Sequence, residues 1–185
     1  MERRFARLAT PGTGRGHGTV GLPSDGMCLN VFLVLTAPAD DGQVLMGRIS
    51  PGPTWAELGG VDPARAERIG ERWMLPASQL LLFESPTDAA TRLAKELLGI
   101  DRPLLEGPQV FSEAYARSTD PSADPHWDLH FVFTGRGPAR APTHPLWKEL
   151  AYLPVAKRTP SEFARSHGDI LELVGFHLRT PPTAA

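Results

Sequence analysis

The chain has a single cysteine, Cys28, among 185 residues, so no internal disulfide framework can hold it together. That usage fits a reducing compartment. No apolar run approaches the roughly 18 residues that a membrane-spanning helix needs, which excludes a helical membrane protein. Met1-Glu2-Arg3-Arg4-Phe5 is not followed by the apolar stretch of a signal peptide, and a cytoplasmic location is expected. An excess of one charge is lacking too: 19 Lys and Arg against 21 Asp and Glu leave a formal net charge of -2. Such a balance gives no general pull toward nucleic acid or an anionic membrane, and neither is expected as a partner. A small-molecule ligand is expected instead, with a homodimer left open. No repeat and no heptad pattern is present, and the 41% hydrophobic content suits one domain with a sizeable core.

What is there reads as alternating strands and helices. Residues 9 to 26 are rich in Gly and Pro and are expected to be loop. Gly16, Gly18 and Gly21 match G-x-G-x-x-G formally, but a strand follows where that motif needs a helix, so it is set aside. Met27 to Leu35 and Gln43 to Ile49 are β-branched and apolar runs of strand length, expected to pair as a hairpin through Asp40-Asp41-Gly42. Ser50 to Arg72 is a long connection ending in a short helix from Ala64, and Trp55 and Glu57 in it are candidates for ligand contact. The plain alternative is Trp55 tucked against the core. Cys28, at the start of an apolar run, reads as buried filler rather than a nucleophile.

The segment from Trp73 to Ile100 carries most of the information. Ser85 suits an N-cap, Pro86 the first helical position, and Asp88 the third, while Gly99 reads as the stop. Between them Ala89, Ala90, Leu93, Ala94 and Leu97 recur at helical spacing, the pattern of a helix packed on a sheet. Trp73-Met74-Leu75-Pro76, then Glu84, then Arg92, Glu96, Gly99 and Ile100, resembles the signature of the Nudix hydrolases. That signature runs Gly, five residues, Glu, seven residues, Arg-Glu-apolar-x-Glu-Glu-x-Gly-apolar. The resemblance covers roughly residues 27 to 176. It implies a single-domain α/β/α sandwich with a mixed β-sheet, flanked by a flexible segment at 1–26 and a disordered tail at 177–185. It also implies Mg²⁺-dependent hydrolysis of nucleoside diphosphates linked to another moiety.

The residues themselves argue against that last step. Positions i, i+3 and i+4 of a helix share a face, so the family's three carboxylates would converge at 93, 96 and 97 to hold a hard cation by oxygen ligands. Here two of them are Leu93 and Leu97, leaving Glu96 alone, and the box glycine falls on Ser78. The resemblance gives Glu84 and Arg92 a structural role, as a pair that fixes the strand-to-helix loop. No cofactor is required on this reading, and a metal would have only Glu96 to bind it, with Glu57, Glu113 or Asp128 as outside help.

One other constellation has chemical interest. His126, Asp128 and His130 alternate along a predicted strand, Trp127 to Thr134, and so share one face, with Trp127, Leu129, Phe131 and Phe133 on the other. Imidazole and carboxylate together could do acid/base work; a solvated strand face would show the same alternation. The catalytic candidates are therefore Glu96, His130 and Asp128, with Arg48, Trp55 and His126 as substrate contacts. Pro108 to Ala116 is the neighbouring strand, Leu146 to Leu153, with Trp147, Glu149 and Tyr152, resembles the Trp-containing segment that often follows the last long strand in Nudix proteins, and Ser161 to Phe176 reads as a closing helix capped by Thr159 and Pro160, with His167-Gly168-Asp169 as a kink. Three functions stay open: a divergent enzyme acting on a small metabolite without the usual metal, a non-catalytic nucleotide or metabolite binder, and a residual diphosphate hydrolase.

Overall fold

The structure is a computed structural model and describes residues 5–6, 27–50, 52, 55, 66–67, 69–81, 83–115, 126–164 and 166–180. The loop expected over 9 to 26, Glu57 and residues 116 to 125 lie outside these, as does the side chain of His126.

Among the described residues seven strands form one mixed sheet: β1 (Phe5–Ala6), β2 (Met27–Ala37), β3 (Asp40–Ile49), β4 (Ala77–Gln79), β5 (Leu105–Tyr115), β6 (His126–Arg136) and β7 (Trp147–Pro154). The main path runs β5-β6-β2-β3-β7. β2 lies parallel to β6 from Met27 to Thr36, and its other edge is shared in turn by β1, β4 and β3. β3 leaves β2 early. Residues 73 to 79 fill the gap, with Met74 and Gly47 exchanging both backbone hydrogen bonds at 2.9 Å and Leu33 N–H donating to Pro76 O.

Among the described residues two α-helices have defined bounds, α1 (Pro86–Leu98) and α2 (His167–Leu173), one on each face. α1 begins and ends where its sequence says it should. Ser85 Oγ accepts the Asp88 N–H, Pro86 opens the first turn, and Gly99 adopts the left-handed conformation (φ 69°) while Ile100 N–H reaches back to Ala94 O. Ala89, Ala90, Leu93, Ala94, Leu97 and Leu98 are buried against Val31, Leu33, Leu35, Leu45 and Phe133. The opposite face buries Phe32, Val34, Val44, Met46 and Val132 under Phe163, Ile170 and Leu171. Period-two alternation along β2 and β6 supplies both cores at once.

Three local expectations change. The hairpin turns at Pro38–Ala39 rather than Asp40-Gly42: Asp40 already pairs with Ala37, and the next register contact is Val44 with Thr36. The Asp40 carboxylate accepts Gly42 N–H and Gln43 Nε2, so this stretch makes a bulge inside β3. The closing helix is not continuous from Ser161. A single turn (Pro160–Glu162), with Glu162 Oε2 accepting Thr159 N–H, gives way to extended Phe163 beside Trp73, and α2 starts only at His167. Tertiary pairing of Phe163 with Trp73 overrides helix propensity there. Finally, ordered contacts run past 176, since Leu178 packs on the second core and Arg179 N–H donates to Arg158 O.

Candidate functional site

Arg92 is the hub of the loop before α1. Its Nε and Nη2 bind the two Glu84 oxygens at 2.7 and 2.9 Å, Nη2 also reaches Gln79 O, and Nη1 meets Glu96 Oε2 at 3.2 Å. Glu84 takes the Leu81 N–H as well. Burial works against the Glu84 charge, but the guanidinium and that backbone donor outweigh it and hold the carboxyl below its ordinary range. Burial likewise opposes the Arg92 charge, and Glu84 and Glu96 raise its proton affinity above the ordinary value. This is a two-pronged clamp between loop and helix. Its geometry positions backbone and leaves Glu96 already engaged with a cation.

The positions that flank Glu96 point the other way. Leu93 and Leu97 are wholly buried in the core, and the helix's carbonyl at Leu97 accepts Trp147 Nε1 at 2.7 Å. Among the described residues no group of three His, Cys, Asp or Glu side chains is placed to hold a metal ion. Ser78, at the box-glycine position, is buried in β4 beside Val31.

His130 and Asp128 do not join Glu96. His130 lies in β6 on the face of Val132, with its ring edge-on to Phe32 at 5.1 Å, whereas α1 packs on the opposite face around Phe133. The sheet stands between them. His130 is only 1% exposed, its Nε2 lies 3.1 Å from Glu113 Oε2, and its Nδ1 meets no partner among the described residues. An imidazole so enclosed offers no face to a substrate. Trp55 likewise departs from its ligand-contact role. It is 0% exposed, donates to Leu146 O at 2.7 Å and meets Trp147 edge-on at 4.8 Å, so it belongs to the core. Cys28 is half-buried, with Gln79 Nε2 3.8 Å from its sulfur.

Arg48 leads elsewhere. It leaves β3 beside β7, pairs loosely with Glu149 (3.5 Å), and lays its guanidinium 4.3 Å over the Trp73 ring. Together with Arg72, Glu71 and Glu162 these two side chains line a cleft of about 400 Å³. Two of the acids there are already neutralised, Glu71 by Lys148 at 2.7 Å and Glu162 by Arg158 at 3.0 Å. By contrast Arg48 Nε and Trp73 Nε1 are buried donors that meet no acceptor among the described residues. Sequence reasoning named Arg48 but treated Trp73 only as a motif marker. The Glu71-Arg72-Trp73 run, a charged pair against an aromatic where a long connection rejoins the sheet, was the available signal.

Comparison with solved structures identifies the fold. The MutT Nudix hydrolase of Burkholderia pseudomallei superposes with a TM-score of 0.55 at 14% identity, over 80% of this chain and 98% of that one. The Nudix domain of Shewanella oneidensis NrtR, solved with ADP ribose, gives 0.54 at 18% identity, over 80% and 86%. This chain has the Nudix fold. No protein-family model and no curated protein matches it. One correction follows. Shewanella NrtR has also been solved with a 27mer DNA, and this chain covers 58% of that protein with a TM-score of 0.51 at 19% identity. A balanced net charge therefore does not exclude nucleic acid for a protein of Nudix fold. Among the described residues no helix is long and apolar enough to cross a membrane.

Proposed function

We propose that this protein is a Nudix-fold binding module that takes an anionic metabolite of the nucleoside diphosphate class without hydrolysing it. The observation that carries the reading is the exchange at α1: side chains at 93 and 97 that would have to reach a cation are leucines sealed in the core. A hard divalent ion prefers several oxygen ligands, and Glu96, paired with Arg92, is one. This donor set does not fit Mg²⁺. The divergent-enzyme alternative needed Glu96, Asp128 and His130 in one cavity, and they lie on opposite faces of the sheet.

The Arg48–Trp73 cleft supports the binding half. Its volume is within the range of small-ligand sites, and two buried donors without acceptors favour an acceptor-rich group such as a phosphate. ADP ribose, bound by the NrtR Nudix domain, is the natural first probe. Titration calorimetry with ADP ribose is expected to give binding with the ligand recovered intact, and Arg48→Gln to weaken it about tenfold, the worth of one charge-assisted hydrogen bond. Failure to bind ADP ribose or any nucleoside mono- or diphosphate would overturn the reading. So would Mg²⁺-dependent turnover abolished by Glu96→Gln.

A further inference from the structure

Trp73 to Leu75 is held on both edges. On one, Met74 pairs with Gly47 of β3. On the other, Trp73 N–H donates to Glu162 O at 2.9 Å and Ala164 N–H donates to Trp73 O at 2.8 Å. The ladder then breaks its own rule. The next donor, Leu75 N–H, goes not to a carbonyl but to Nδ1 of His167 at 2.9 Å. Chain direction explains why a side chain takes over: Ser166 sits in the left-handed region (φ 66°), a conformation that costs a non-glycine residue about 1 kcal/mol or more, and this turn starts α2 with the imidazole aimed inward. His167 is buried, with its ring edge-on to Phe32 at 5.4 Å.

A carbonyl accepts at any pH. An imidazole nitrogen accepts only when it carries no proton, and a proton on Nδ1 would face the Leu75 N–H donor to donor. Two residues fixed by this ladder, Trp73 and Glu162, are also walls of the cleft.

We propose that His167 is a positioning residue that makes the cleft proton-sensitive: its unprotonated Nδ1 fastens the Trp73–Leu75 wall, and acidification releases it. The coupling to ligand rests on the binding reading above; the fastening itself does not. Charged and titratable groups on the surrounding elements are few. β2 and the 73–76 segment bring none that ionises near neutrality. β3 brings Arg48, spent on Trp73 and Glu149, and the turn before Phe163 brings Glu162, paired with Arg158. α2 brings Asp169 and Glu172, both exposed, and His130 lies across Phe32 with Glu113 as its partner. The sign is fixed by the bond. A proton on Nδ1 removes the acceptor, so the fastening is present while the imidazole is neutral and is lost as the pH falls.

The test uses the full chain and has two arms. In the first, amide exchange is followed at Leu75; its protection relative to the Val44–Met46 amides is expected to fall about tenfold between about pH 7.5 and 5.5, the loss of one buried hydrogen bond. In the second, ADP ribose affinity is measured over the same range for wild type and His167→Asn, whose amide oxygen accepts near the Nδ1 position and does not titrate. Wild type should weaken about tenfold and His167→Asn stay flat. Equal slopes in the two proteins, or Leu75 protection indifferent to pH, would overturn the proposal. Should ADP ribose not bind at all, the cleft reading falls and the Leu75 arm still decides the fastening. If His167→Asn does not fold, the imidazole shifts of wild type decide: His167 must titrate in the window where Leu75 loses protection.

Discussion

Leu97→Glu, which puts a carboxylate where the Nudix signature has one, tests whether this helix face has room for a charged group. Leu97 is fully buried on the α1 face that packs in the apolar cluster with Trp147. Removing a leucine of this kind costs about 2–5 kcal/mol when the space is left empty; glutamate refills part of it, so the lower end applies. Its carboxyl then has no hydrogen-bond partner, and burial of an unsatisfied polar group adds about 1–3 kcal/mol even in the neutral form. The sum is about 3–6 kcal/mol, against a total stability on the order of 5–15 kcal/mol. At about 2–4 °C per kcal/mol for a domain of this size, the melting temperature should drop by about 6–24 °C. Differential scanning calorimetry with and without 10 mM Mg²⁺ reads this directly, and the metal should restore nothing. A Leu97→Glu protein that melts within a few degrees of wild type, or whose melting temperature rises with Mg²⁺, would show that the site opens onto solvent and that the burial reasoning fails.

Arg92→Met removes the clamp and leaves the Glu84 carboxylate, 11% exposed, with only the Leu81 N–H; a loss of about 2–3 kcal/mol is expected in urea melts. Because Glu84 is held below its ordinary value of 4.5, its contribution is present at neutral pH and is lost as the pH falls through its folded value, so the variant should lack that part of the wild-type acid limb. Gly47→Ala would drive a Cβ into the Trp147 ring; overpacking of this kind costs about 1–3 kcal/mol, and tryptophan fluorescence should report displacement of Trp147 from Trp55. Trp55→Phe keeps most of the packing but deletes the bond to Leu146 O. It should lower stability by about 1–3 kcal/mol and leave ADP ribose affinity unchanged.

Where the sequence carried local signals, the structure follows them. Ser85, Pro86 and Gly99 bracket α1 because caps act within one turn of backbone, and β2 and β6 announce themselves because both faces of a central sheet need apolar side chains. Asp40-Asp41-Gly42 misled because an Asp side chain satisfying the next two residues is common to turns and bulges alike. The break at Phe163 and the left-handed Ser166 are set by Trp73, some ninety residues away, a distance no local pattern encodes. The alternation of Asp128 and His130 was legible; which face α1 would cover was not, since that depends on how β2 and β6 pair in parallel.

On the binding reading proposed above, the two leucines on α1 also account for a Nudix fold that stands without a carboxylate cluster on this helix. A cluster of carboxylates around a helix face is a stability cost, tolerated where a cation offsets the repulsion. Leucine at 93 and 97 replaces that cost with full burial, worth about 1.5–3 kcal/mol for each side chain. Once the helix has become scaffold, polar side chains that lack partners mark where interaction with something else is still provided for. Among the described residues Arg48 Nε and Trp73 Nε1, at the β3 edge, are two such atoms that share one cleft, and the wall that carries Trp73 is fastened by a histidine where every neighbouring rung is a backbone carbonyl. A purely structural rung would be served as well by a carbonyl at any pH, so the imidazole is the feature of this fold that stability alone does not explain.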